Sequence, residues 1–182
     1  YIPYGAGVQN QLPGRVIKLY KILPYKYFLF VGRLVPENAV EDLILAFKQT
    51  NTDYKCVIVG DSIYEDKYKQ FLLNLTKDDN RFIFTGFLKG KDYEEICSNA
   101  YVYVETKSVG GTHPSLLEAM AFGKCIIAKV IKEHKEVLSE DGFYYKRGFQ
   151  ELQKKIVYLL NSPKVVKKYG RMAKLRVKKY YF

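Results

Sequence analysis

The 182-residue sequence lacks most features that would place it at once in a functional class. No apolar run reaches the ~18 residues that a bilayer-spanning helix needs, so no transmembrane segment is predicted. No secretory leader precedes Tyr1, and Tyr-Ile-Pro-Tyr-Gly reads as the middle of a longer chain. Cysteine is scarce: Cys56, Cys97 and Cys125 lie far apart, two of them in apolar strand-like runs. That usage predicts buried, reduced thiols rather than a disulfide frame. Without a Gly-x-x-x-x-Gly-Lys-Ser/Thr loop, a Walker-type ATPase has no support. No Gly-x-Gly-x-x-Gly follows the first strand, which disfavours a dinucleotide oxidoreductase. No Gly-x-Ser-x-Gly elbow argues for an α/β-hydrolase, and no His/Cys/Asp cluster has metal-ligand spacing. No metal and no cofactor are predicted.

Acidic residues are also in short supply. There are 19 Asp+Glu against 30 Lys+Arg, and the net charge of +11 asks for an acidic partner or surface. Eight Lys/Arg and no acid fall between Lys164 and Lys179, over an apolar stripe read as Val165, Tyr169, Met172 and Leu175. Attraction to an anionic membrane leaflet is one reading of this segment, and a solvated face on a terminal helix is the other. Nucleic acid bound by charge alone has no zinc-finger, helix-turn-helix or RNA-binding signature behind it.

What is present is a regular alternation of elements. Apolar content of 48% is ample for one core, and 182 residues suit one domain. Strands are predicted at 27–31, 56–59, 81–85, 101–105 and 125–128, with a short edge strand at 143–145. Helices are predicted at 37–50, 65–75, 91–98, 114–122, 149–160 and 163–179. Continuous apolar strands alternating with helices imply an α/β fold, a doubly wound and mostly parallel sheet with helices on both faces. A ligand then lies beyond the carboxyl ends of the strands, at the point where strand order reverses. The turns Gly32-Arg33, Gly60-Asp61 and Gly86-Phe87 and the pair Gly110-Gly111 would gather on that rim.

The segment 109–128 carries the most chemistry. Gly110 and Gly111 allow close backbone approach to a ligand, and Pro114 suits the first turn of a helix. The amides of Ser115, Leu116 and Leu117 at that helix start form an anion site in this reading, with phosphate the expected anion. Glu118, an acceptor-only side chain, is placed to take hydrogen bonds from sugar hydroxyls. Phosphate beside ribose means a nucleotide. Arg33 could clamp a diphosphate, or be an ordinary surface arginine. His113 is read as a phosphate or sugar contact with no visible acidic partner, and His134, in Lys-Glu-His-Lys-Glu, as a surface residue.

Phe-Val-Gly-Arg-Leu-Val-Pro-Glu-Asn (30–38), Val-Ile-Val-Gly (57–60), Phe-Thr-Gly-Phe-Leu (84–88) and Pro-Ser-Leu-Leu-Glu-Ala-Met-Ala-Phe-Gly-Lys (114–124) occur in this order and spacing. Together they resemble the C-terminal, donor-binding domain of a family-4 retaining glycosyltransferase with the two-domain GT-B fold. The stretch 108–120 resembles the bacterial rhamnosyltransferase-like subgroup of surface-polysaccharide synthesis. The resemblance implies one Rossmann-like domain over 1–182, a fragment lacking the N-terminal acceptor domain and inactive alone. Arg33 would hold the donor diphosphate and stabilise the leaving group. Gly32 lies at the same turn, Phe87 and Leu88 would cradle the base, and Gly110, Gly111, Thr112 and His113 would face the sugar. Ser115, Leu116, Leu117 and Glu118 would hold phosphate and ribose.

The implied donor is a nucleotide-diphosphate sugar, with dTDP-rhamnose as the named candidate. The acceptor would be a glycan or lipid-linked molecule of polysaccharide, lipopolysaccharide or capsule synthesis. The implied setting is cytoplasmic, peripheral on the inner face of the membrane. Two departures stand out: Gly110 occupies the place of the first glutamate of the family's Glu-x7-Glu motif, and Asn38 and Ala39 occupy that of the usual lysine. Lys107 and Lys129 are the candidates to replace that cation. A non-catalytic binding or scaffold module with a degenerate site is the alternative.

Overall fold

The computed structural model describes residues 7–62, 66–109 and 113–181. Its strands are β1 (Tyr27–Val31), β2 (Lys55–Val59), β3 (Phe82–Gly86), β4 (Val102–Glu105), β5 (Cys125–Lys129) and β6 (Phe143–Tyr145). They form one sheet in the order β3-β2-β1-β4-β5-β6, and every neighbouring pair is parallel. The helices are α1 (Arg15–Leu19), α2 (Val40–Lys48), α3 (Asp66–Thr76), α4 (Gly90–Ser98), α5 (Pro114–Ala121), α6 (Lys132–Leu138), α7 (Gly148–Leu160) and α8 (Pro163–Tyr180).

Side chains alternate across a strand, so each central strand feeds two cores. Leu29, Val57, Tyr103 and Ile126 pack on one face with Leu116, Met120, Ala173 and Val177. Phe28, Phe30, Ile58, Val104 and Ile127 pack on the other with Leu43, Phe47, Leu152 and Ile156. Burial on both faces is the reason these strands are uninterrupted apolar runs. All three cysteines lie in these cores as free thiols, and burial pushes each upward, Cys125 to about 12.

The structure shifts several predicted elements. The helix expected from Glu37 begins at Val40, because Pro36–Asn38 is a single 3₁₀ turn and Ala39 sits in the left-handed region at φ 45°. Helices α1 and α6 were not expected. At five and seven residues they carry too little periodicity to read. On α8 the buried positions are Val166, Gly170, Ala173 and Val177, while the anticipated stripe residue Leu175 is 57% exposed. A Cβ on Gly170 would stand 2.2 Å from the Gly123 carbonyl oxygen, so α8 lies close against the turn before β5. Close approach selects small residues, which a count of large apolar side chains overlooks.

Lys124 enters β5 buried, its Nζ donating to the carbonyls of Ser98 at 2.6 Å and Ala100 at 3.3 Å. Burial lowers its pKa to about 8. An unfolded lysine titrates near 10.4, so between these values the unfolded chain binds more protons and this group makes stability rise with pH. Its contribution over that window reaches at most about 3 kcal/mol. The pH 8–10 difference in unfolding free energy between wild type and Lys124→Met measures it. A flat difference would refute the assignment.

Candidate functional site

The order of the sheet reverses between β1 and β4, and the turns that leave the carboxyl ends of the strands meet there. The Gly32 amide donates to Val59 O at 3.0 Å and the Gly60 amide to Gly86 O at 2.9 Å, which knits three predicted glycine turns into one rim. Gly60 and Gly86 have φ of 137° and 70°, a region that side chains rarely adopt. Arg33 follows on this rim and is exposed, with no acidic partner among the described residues. Its loop is held instead by the Asn38 Nδ2, which donates to the Arg33 carbonyl at 2.6 Å. Phe87 is 54% exposed just beyond β3, and Leu88 is half-buried on the core below.

Across the gap, β4 ends in Glu105, which is fully buried, followed by buried Thr106 and Lys107. Lys107 Nζ donates to Val31 O at 3.1 Å, Glu105 Oε2 at 3.2 Å and Ser115 Oγ at 2.9 Å. One ammonium thus joins the end of β1, the end of β4 and the start of α5. Tyr103 donates its hydroxyl to Glu105 at 3.2 Å, and burial with the neighbouring carboxylate keeps that phenol well above its ordinary range. A buried carboxylate needs this much pairing, because an isolated charge there would be severely desolvated.

At α5 the structure corrects one expectation. The Leu116 and Leu117 amides donate to the His113 carbonyl, at 3.0 and 3.4 Å, so they are not free to receive an anion. The His113 carbonyl at the N-cap reaches both, which leaves the Ser115 amide without a backbone acceptor among the described residues. Glu118 is half-buried one turn on and accepts the Tyr93 hydroxyl at 2.5 Å; its other oxygen makes no such bond among the described residues. Gly110, Gly111 and Thr112 lie outside the described residues.

A second correction concerns His134, read from its charged neighbours as a surface residue. It is 1% exposed, because α6 turns His134, Val137 and Leu138 inward and its lysines and glutamates outward. Its Nδ1 lies 2.8 Å from the Lys129 carbonyl, which can only accept, so Nδ1 carries the proton. Its Nε2 faces His113 Nδ1 at 2.9 Å. Burial holds both imidazoles below the ordinary histidine range. Glu105, His113 and His134 come together with their ligand-type atoms within 4.8 Å of one another. Spacings of eight and 21 residues hid this group, and only the unexpected α6 brings His134 to it.

With this geometry in hand, comparison with known proteins is decisive at the level of the family. The glycosyl transferases group 1 signature matches residues 18–176. The chain belongs to the group 1 glycosyltransferase family. Two uncharacterized glycosyltransferases of Methanocaldococcus jannaschii are similar, one 29% identical over 164 residues and the other 28% over 170. These cover 84% and 89% of this chain but only 40% and 46% of the relatives, so the chain spans less than half their length. Among solved structures, Anabaena Alr3699/HepE in complex with UDP-glucose superposes with a TM-score of 0.88 at 19% identity, covering 100% of this chain and 53% of that one. The C-terminal domain of a Francisella tularensis group 1 glycosyl transferase (LpcC) superposes at 0.79 and 22% identity, covering 99% and 96%. The fold is therefore the Rossmann-like α/β fold of GT-B glycosyltransferases.

Both lysines named as candidate replacement cations have a carboxylate partner, Asp42 for Lys129 and Glu105 for Lys107. Lys129 is tied by Asp42 at 3.1 Å. Lys107 stands at the start of α5, on the rim itself.

Proposed function

We infer that this chain is the donor-binding half of a two-domain glycosyltransferase and binds a nucleotide-diphosphate sugar on the β1–β4 rim. The observation that carries the reading is the placement of exposed Arg33 after β1, and of the Lys107–Ser115 contact and Glu118 after β4, at the carboxyl ends of the two strands between which strand order reverses. A parallel sheet places ligands there. Arg33 takes the diphosphate, and its charge opposes the charge growing on the leaving group. Lys107 keeps Ser115 in place and lends positive potential to the phosphate position. Glu118, its ring partner Tyr93 holding one oxygen, offers the other to ribose hydroxyls. The HepE structures hold UDP and UDP-glucose, which favours a pyrimidine nucleotide. The rhamnosyl donor rests on the resemblance of residues 108–120.

The likeness to the Francisella C-terminal domain, matched end to end, supports a missing partner domain that supplies the acceptor. Six exposed cations on α8, Lys164, Lys167, Lys168, Arg171, Lys178 and Lys179, suit an anionic leaflet. Among the described residues no helix is long and apolar enough to cross a membrane.

The test is titration with UDP, dTDP, GDP and the matching nucleosides in EDTA. Arg33→Ala is expected to weaken nucleoside diphosphates about tenfold or more, equivalent to a charge-assisted contact of about 1.5–3 kcal/mol, and to leave nucleosides nearly unchanged. Equal losses would remove the diphosphate role. No binding of any nucleotide would favour a degenerate scaffold module instead.

A further inference from the structure

Two side chains of the site, Glu105 and His134, have no assigned task in donor binding, and they meet His113, expected to face the donor sugar. Glu105, His113 and His134 form a two-histidine, one-carboxylate set, the donor chemistry of zinc and of first-row divalent metals. Two nitrogens bound at about 2.1 Å stand about 3.0 Å apart on adjacent octahedral vertices and about 3.4 Å apart on tetrahedral ones. His113 Nδ1 and His134 Nε2 are 2.9 Å apart. Their outer partners are those a metal site uses: the Lys129 carbonyl fixes the His134 tautomer at 2.8 Å, and the Tyr103 hydroxyl holds Glu105 at 3.2 Å.

We propose that Glu105, His113 and His134 bind one divalent transition-metal ion beside the start of α5. His134 already presents its Nε2 lone pair. On binding, His113 moves its Nδ1 proton to Nε2, so both facing nitrogens ligate and no net proton is released from the pair. Glu105 is the anionic ligand and must close toward the imidazoles, whose ligand atoms stand within 4.8 Å of its own. Lys107, at 3.2 Å from the same carboxylate, competes with the metal for it.

The experiment is titration of this chain with Co²⁺, followed by displacement with Zn²⁺, in the absence of nucleotide. One saturable Co²⁺ site with visible d–d absorption is expected, displaced stoichiometrically by Zn²⁺. His113→Ala, at a half-exposed position, is expected to weaken it more than tenfold, since even outer-shell partners of metal ligands are worth about 10–100-fold. His134→Ala removes a buried ring, so it is read only where circular dichroism shows a native fold. Lys107→Met is expected to tighten binding, because it frees the carboxylate. The proposal is overturned if wild type shows no saturable Co²⁺ site, or if His113→Ala binds Co²⁺ as wild type does. Nucleotide binding measured in EDTA fails or succeeds independently of this result.

Discussion

Gly60→Ala is expected to destabilise the folded state severely. Gly60 leaves β2 with φ 137°, and a Cβ there would stand 1.8 Å from the Gly32 carbonyl oxygen and 2.8 Å from its carbon. The obstacle is backbone, in the turn directly after β1, the strand paired with β2 along five registers. Relief therefore means prising β1 from β2, at the centre of the sheet. Strained φ alone costs about 1–3 kcal/mol. With the clash, the total should exceed about 4 kcal/mol, a large part of the 5–15 kcal/mol that stabilises a typical domain. Gly90→Ala is the control, since φ there is also positive, at 54°, but nothing lies within 4 Å of the added Cβ. It should lose only about 1–2 kcal/mol. Soluble yield and thermal melting of the two variants decide the matter. A Gly60→Ala protein melting within a few degrees of wild type would refute the close approach of the two turns.

Glu95→Ala is expected to cost on the order of 3 kcal/mol, the value of two or more charge-assisted hydrogen bonds with losses that do not add fully. Glu95 lies on α4, 6% exposed, and its carboxylate accepts the amides of Gly14 at 2.8 Å, Ile17 at 2.9 Å and Val16 at 3.2 Å. It caps α1 from a distance of about 80 residues in sequence, in the way an acidic N-cap would locally. A five-residue helix cannot persist alone, so α1 depends on this carboxylate and on the burial of Val16 and Ile17. For a chain of this size the loss should lower the melting temperature by roughly 6–12 °C. Glu95→Gln keeps one acceptor oxygen, and Oε1 serves both Gly14 and Ile17, so its loss should be smaller. Faster hydrogen exchange at residues 14–17 should accompany the alanine variant. Equal stability of wild type and Glu95→Ala would show that the cap contributes nothing.

Much of the fold was legible because it depends on patterns within single segments. Runs such as Tyr27–Val31 and Cys125–Ala128 are apolar without alternation, and only a strand buried on both faces reads so. Four strands appear within one residue of their predicted bounds, and the other two, 27–31 and 143–145, coincide with their predictions. Short elements failed for the opposite reason. Helix α1 is held by a residue on α4, and α6 is a charged segment whose one polar inward residue, His134, has no local mark of burial.

The candidate site divides along the same line. Arg33, Ser115 and Glu118 could be chosen from the sequence, because glycine turns and a proline-led helix start reveal a rim. Which amides remained free could not be, since that depends on the reach of the His113 carbonyl. Nor could the partners of Glu105, whose charge is met by Lys107, two residues on, while the same ammonium also holds the end of β1 and the start of α5.

By itself, then, the sequence determined the layers of this protein, its parallel sheet, its family and the glycine turns after its strands, because periodicity and turn chemistry act over a few residues. Tertiary structure alone decided that His113 meets His134, that Lys107 rather than Lys129 stands at the start of α5, and that Glu95 closes α1. Each of these is a contact between segments remote in the chain. Burial makes such pairings obligatory once the sheet has formed, but local pattern says nothing about which partners will be found.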